Sequence, residues 1–88
     1  MPKDPFEQSF LLLSVSNRDR RVFEGSVKAL SAFNAKGPFD VLPGHANLIS
    51  LIHNGLVIHK NERERQTIAF QKGVLKASQN RVFIYIVS

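Results

Sequence analysis

An all-β fold, a sandwich or barrel built from short strands, is what this sequence predicts, and three observations predict it. Apolar residues come in short runs, each closed by a turn signal, and the turns recur roughly every 8–12 residues, the rhythm of all-β architectures. The last run, "VFIYIV" from Val82 to Val87, is apolar on both faces: Val82, Ile84 and Ile86 point one way and Phe83, Tyr85 and Val87 the other. Such a strand is either central in a core or covered on its outer face by a partner. Finally, no longer segment carries a helical period of apolar residues.

The elements follow in order. Leu11, Leu13 and Val15 alternate with Leu12, Ser14 and Ser16, a strand of period two. "SNRDR" turns the chain. Val22 and Phe23 open another extended piece, Gly25 is placed to bend it, and Val27 to Phe33 continues it. "NAKGP" is a loop by composition. Phe39 to Leu42 is extended, because the residue before Pro43 is pushed away from helix. His53-Asn54-Gly55 is a hairpin signal, since Asn-Gly readily takes the positive φ angles of a type I′ turn. Asn47 to Ile52 and Leu56 to Lys60 are therefore expected to be paired strands. "NERER" is a charged tip, Gln66 to Phe70 returns, Gly73 breaks the chain before Val74 to Ala77, and "SQNR" turns into the final strand.

The 88 residues make one domain, expected to run from residue 10 to 88 behind a flexible N-terminal segment, 1–9. A chain this short buries only about 60–65% of its unfolded surface, so its core is small. There is no cysteine, which removes disulfides and thiolate metal sites. The first ten residues are polar and hold two prolines, unlike a signal peptide or an anchor. No apolar run approaches the ~18 residues of a membrane helix. The expectation is a soluble, intracellular protein. The formal charge of +5 attracts nucleic acid, anionic lipid or an acidic protein. Much of it falls at turns, where Arg18, Arg20 and Arg21 flank one tip and Arg63 and Arg65 alternate with Glu62 and Glu64.

Catalysis needs an activated group with a partner that orients it. His45, His53 and His59 show no metal-type spacing such as His-Glu-x-x-His. His53 reads as a solvated turn residue and His59 as an exposed strand end. Neither a Walker-type lysine nor a GxGxxG cradle is present, and no serine sits in a nucleophile elbow. No cofactor and no metal are expected. Seven Phe and one Tyr on a basic β-domain leave one competing class open, a small basic β-barrel module that binds nucleic acid. Most of the Phe residues lie beside other apolar residues, which favours core packing.

"RVFEGSVKALSAFNAKGPFDVLPGHANLISLIHNGLVI", Arg21 to Ile58, resembles the N-terminal domain of the epsilon subunit of F-type ATP synthases, called delta in mitochondria. The resemblance rests on Phe23, Gly25 and Val27, then on Gly37, Phe39, Val41, Leu42, Pro43, Gly44, His45, Ala46 and Leu48, then on the Asn54-Gly55 turn. "AFQKGVLKASQNRVFIYIV" is similar to the family's closing Gly-x-Leu-x-Val step and Asn-x-Val strand. The Leu-Pro-Gly-His-Ala core is the specific part. Asp40 stands where the family usually has glycine and Asn47 where it often has proline, while Lys36 and Pro38 occupy a loop that often carries Glu or Gly.

The resemblance implies a flattened two-sheet sandwich of roughly ten short strands, here without the C-terminal helical hairpin that many bacterial members add. It implies a non-catalytic rotor subunit of the central stalk, which docks on the gamma subunit and the ring of c subunits and couples ion translocation to ATP synthesis. Such a subunit is membrane-associated only through its complex, on the cytoplasmic face in bacteria. Pro43 fixes its φ and Gly44 permits unusual angles, a corner that is expected to present His45 and Leu48 to gamma together with Asn17. The loop Ala35, Lys36, Gly37 and Pro38 is expected to face the c ring. Titration of the chain with ATP in a calorimeter should show no micromolar binding, because neither a phosphate cradle nor the hairpin is present.

Overall fold

The computed structural model describes residues 10–44 and 47–88. The expected flexible segment 1–9, and with it His45 and Ala46, lies outside them. Among the described residues nine strands form two sheets: β1 (Leu11–Ser16), β2 (Arg21–Val27), β3 (Ala29–Asn34), β4 (Gly37–Val41), β5 (Asn47–His53), β6 (Leu56–His59), β7 (Arg65–Ile68), β8 (Lys72–Ser78) and β9 (Arg81–Ile86). The larger sheet has the order β2-β1-β9-β8-β5 and the smaller β4-β3-β6-β7. The chain is a two-sheet sandwich, and its described residues contain no helix.

Alternation along each strand builds the core. Leu11, Leu13 and Val15 of β1, Leu75 and Ala77 of β8, and Val82 and Ile84 of β9 are buried from the larger sheet. Leu30, Ala32, Val41, Leu56, Ile58 and Ile68 meet them from the smaller one. All buried side chains among the described residues are hydrophobic. A β-ladder leaves no backbone polar group of these strands unpaired inside, so an apolar core is compatible with full hydrogen bonding.

The strand order records how the chain shuttles between layers. It leaves the larger sheet at Lys28, whose N–H donates to the carbonyl of His59 at 2.8 Å. It returns after β4, leaves again at Asn54-Gly55, and returns before β8. The extended piece expected to run from Val22 to Phe33 is thus two strands, β2 and β3, in different sheets. The Asn-Gly signal has a similar outcome. Asn54 (φ 63°) and Gly55 (φ 80°) do take the two positive φ angles. Yet β5 pairs with β8, while β6 pairs with β3 and β7. The turn passes the chain from one sheet to the other, so the expected pairing of Asn47–Ile52 with Leu56–Lys60 is corrected. Gly73 is also interior to β8 and does not break it. A Cβ there would lie 3.0 Å from the Tyr85 carbonyl oxygen, a tight contact that glycine relieves.

The crossover at Gly55 has little tolerance. A Cβ at that position would sit 2.8 Å from the backbone oxygen of Ile68, on top of its positive φ. Gly55→Ala should therefore lower the unfolding free energy by more than the roughly 1–2 kcal/mol cost of a left-handed alanine alone, and lower the denaturation midpoint with it. Urea unfolding followed by circular dichroism measures this; an unchanged midpoint would refute it.

Candidate functional site

The proline-glycine corner is positioned by a second turn. Gln79 (φ 52°) and Asn80 (φ 63°) form the tight connection between β8 and β9, with Ser78 opposite Arg81. Two positive φ angles in succession match a type I′ hairpin, and Asn is among the residues that tolerate them. The Asn80 side-chain oxygen accepts the Gly44 N–H at 2.7 Å, and its backbone carbonyl accepts the Leu12 N–H at 2.8 Å. Asn80 thus holds the corner, the β8–β9 hairpin and the start of β1 together. Gly44, at φ 85°, adopts a conformation that a side chain would resist. The resemblance to an Asn-x-Val step pointed at Asn80, but the 36-residue separation from Gly44 hid the contact.

The residues expected to act with this corner divide. Leu48 does not point outward: it is half-buried and packs against the core, while its neighbours Asn47 and Ile49 are exposed. Its place on β5 gives the physical reason, since alternate residues face opposite sides. Asn17 follows β1 at the far end of the sheet, where its side-chain oxygen accepts the N–H groups of Asp19 and Arg20 and closes the first turn. The Ala35–Pro38 turn lies at that same far end. Asn34 starts the turn, its side-chain oxygen accepting the Lys36 N–H at 2.9 Å, and its side-chain N–H contacts Ser50 Oγ at 3.3 Å. The corner and the 35–38 turn are therefore separated by the length of β5, roughly 20 Å for a strand of this kind.

One polar constellation was not foreseen. On the outer face of the smaller sheet, Ser31 Oγ donates to Asp40 Oδ1 at 2.8 Å and lies 2.9 Å from His59 Nε2. A hydroxyl has one proton, and Asp40 takes it, so Ser31 accepts from an Nε2–H tautomer of His59. The residue types are those of a hydrolytic triad, but a triad needs the histidine between serine and carboxylate. Here serine is in the middle, its proton is directed to the Asp40 carboxylate, and His59 is not placed to take it and be oriented by the carboxylate. The chain Asp40–Ser31–His59 instead ties β4, β3 and β6 together, and it employs Asp40, the residue that replaces the expected glycine. His59 is half-buried, not an exposed strand end. His53 is also half-buried, at the last position of β5.

Charges elsewhere are solvated. Arg21 and Glu24 pair at 2.9 Å with both side chains mostly exposed, a contact of little energetic weight. Lys60 lies 5.7 Å from the ring centroid of Phe23. No group of three or more His, Cys, Asp or Glu among the described residues is arranged to hold a metal ion. No helix among them is long and apolar enough to cross a membrane.

Comparison with known proteins places this geometry. The model of the ATP synthase, Delta/Epsilon chain, beta-sandwich domain family matches residues 11–87. The ATP synthase epsilon chain of Helicobacter pylori (strain HPAG1) is 33% identical over 76 residues, covering 86% of this chain and 62% of the relative. The epsilon chain of Wolinella succinogenes is 34% identical over 67 residues, covering 75% of this chain and 51% of that protein. The chain thus spans about three fifths or less of these relatives. Among solved structures, a chain of the Euglena gracilis mitochondrial ATP synthase superposes with a TM-score of 0.83 at 15% identity, over 100% of this chain and 66% of that one. A chain of the Tetrahymena thermophila mitochondrial ATP synthase central stalk and c-ring gives 0.72 at 9% identity, over 89% and 63%. At these identities the two likenesses concern the fold.

Asn80→Gly keeps the positive φ available but removes the side-chain oxygen. It should speed amide exchange at Gly44 several-fold, with the exchange at β8 and β9 core amides unchanged. Unchanged protection at Gly44 would show that the contact does not hold the corner.

Proposed function

This chain belongs to the ATP synthase delta/epsilon family through its beta-sandwich domain, and we propose that it serves as a non-catalytic central-stalk subunit of a rotary F-type ATP synthase. The family match over residues 11–87 carries this reading. In it, the chain sits between the gamma subunit and the c ring and passes rotation from one to the other, coupling ion translocation to ATP synthesis. It meets the membrane through that complex alone, on the cytoplasmic face in a bacterium.

The physics of the domain suits such work. Transmission of torque needs a body that does not shear internally. Two hydrogen-bonded sheets packed through a solid apolar layer supply that stiffness. It also needs contacts at separated places. The corner of Pro43 and Gly44, with His45 and Leu48 beside it in sequence, is the proposed gamma-facing end. The turn of Ala35, Lys36, Gly37 and Pro38 is the proposed ring-facing end. Asn17, proposed with the gamma-facing residues, stands at the turn's end of the sheet, so its contact would be separate from the corner's. Lys36 brings a positive charge to the ring-facing turn, which fits ring loops that carry acidic groups.

Mixing the pure chain with gamma should give a stable complex in size exclusion. Because Leu48 packs on the core, the informative variant is His45→Asp alone. It should leave the circular dichroism spectrum unchanged and weaken gamma binding about tenfold, roughly 1.4 kcal/mol. No complex with the unaltered chain would overturn the stalk reading; an unaffected His45→Asp would remove the corner from it.

A further inference from the structure

The two ends named above are the two ends of one strand. β4 begins within the Ala35–Pro38 turn, where Gly37 takes a φ of 118°, and stops two residues short of Pro43. It is an edge strand of the smaller sheet, with β3 as its ladder neighbour. The pairing runs from Leu30–Val41 to Asn34–Gly37. Pro38 has no N–H, so its pair with Phe33 is not one that exchanges two main-chain hydrogen bonds. Bonded and non-bonded pairs alternate along an antiparallel ladder, which makes Ser31–Asp40 a non-bonded pair as well. Side chains approach most closely at such positions, and here they take over the fastening.

Ser31 Oγ donates to Asp40 Oδ1 at 2.8 Å and accepts from His59 Nε2 at 2.9 Å. His59 stands opposite Ala29, so it reaches Ser31 along the diagonal of the β3–β6 ladder. The neighbours Leu30, Val41 and Ile58 are buried in the core, which puts Ser31, Asp40 and His59 on the outer face. Asp40 forms no ion pair among the described residues, so the described partner of its carboxylate is the Ser31 hydroxyl. We propose that Asp40 is a positioning residue. Through Ser31 and His59 it pins β4 to β3 and β6, and so fixes the 35–38 turn and the Pro43–Gly44 corner relative to each other. That these ends meet partners rests on the stalk reading; that Asp40 pins the strand joining them does not.

A simpler role for Asp40 is to guard the free edge of the sheet. A charge and a proline on an edge strand both discourage pairing with another chain, and β4 carries the two at Asp40 and Pro38. A guard, however, needs only a charge in water. Asp40 is instead bonded to a hydroxyl that an imidazole from the next strand but one also holds. The ends of β4 have anchors of their own. Asn34 Oδ1 accepts the Lys36 N–H at one end, and Asn80 Oδ1 accepts the Gly44 N–H at the other. Asn34 belongs to the smaller sheet and Asn80 to the hairpin of the larger one. The strand between them relates the two anchors, and Asp40 fastens that strand near the middle of its course from Ala35 to Gly44.

The test is amide hydrogen exchange on the full chain and its variants. Asp40→Ala should speed exchange about fivefold at Phe39 and Val41, and also at Lys36 and Gly44, with the core amides of β8 and β9 unchanged. Asp40→Asn keeps a side-chain oxygen that accepts from Ser31, and should exchange as the unaltered chain does. Ser31→Ala should match Asp40→Ala, and the double variant should be no faster than either, because both break one chain of bonds. In a titration with gamma, Asp40→Ala should weaken the complex about threefold and Asp40→Asn should not, since a loosened end must be ordered on binding. The proposal is overturned if Asp40→Ala leaves either end unchanged, or if Asp40→Asn is as fast as Asp40→Ala, which would mark an edge guard. Effects of Asp40→Ala and Ser31→Ala that add, or faster exchange that spreads to β8 and β9, would overturn it too, as would unchanged gamma binding by Asp40→Ala. The exchange measurement needs no partner, so it decides the pinning of β4 even where the chain and gamma form no complex.

Discussion

Two sheets share one apolar layer, and every other feature of the molecule is arranged around keeping that layer closed. In a chain of 88 residues there is room for a core one side chain deep from each sheet. Each strand must therefore give alternate residues to it, and each crossing between sheets must be short. Lys28 makes one crossing as a single residue between β2 and β3, and Asn54-Gly55 makes another in two. Crossings this tight have no slack for an added side chain, which is why Gly55 presses against Ile68. Loss of one buried branched residue from such a thin layer would leave a cavity that neighbouring strands, fixed by their ladders, cannot collapse into.

Much of this was legible before the structure. Alternation in Leu11 to Ser16 and Arg81 to Ile86, and turn chemistry at Asn17, Asn34, Asn54 and Asn80, gave the strands and most of their ends, because side-chain period and positive φ are local properties. Sheet membership was not legible. Asn54-Gly55 has the same local signature whether it closes a hairpin or passes the chain to another layer, and the choice depends on β8, some twenty residues on, being the better partner for β5. For the same reason Leu48 was assigned outward: the corner's shape was readable, but not which phase of β5 faces the core. The Asp40–Ser31–His59 chain joins three strands whose adjacency no short window reveals. The ends expected to act together at Asn17 and His45 follow from resemblance, whereas the run of the sheet sets Asn17 apart from the corner.

The two-sided apolar character of β9 is now accounted for on one side only. Val82 and Ile84 belong to the core; Phe83 and Tyr85 do not, and they are flanked by Ile49, Leu51 and Val74 from neighbouring strands. Evolved surfaces of small β-domains usually place polar residues at such positions, as the smaller sheet does with Ser31, Asp40 and His59. The smaller sheet's outer face mixes these polar groups with the exposed Phe33, whereas the larger sheet's outer face is the more apolar of the two.

The pairing of β1 with β9 is parallel, and it joins strands from the two extremes of the fold through five successive residue pairs, Leu12–Arg81 to Ser16–Tyr85. A pull that draws Leu11 and Ile86 apart along the strands loads all those cross-links at once, in shear. It cannot open them one by one, as it would the links of a hairpin held at its open end. A body fastened this way resists stretching along the axis of its central strands, and yields, when it yields, as a unit.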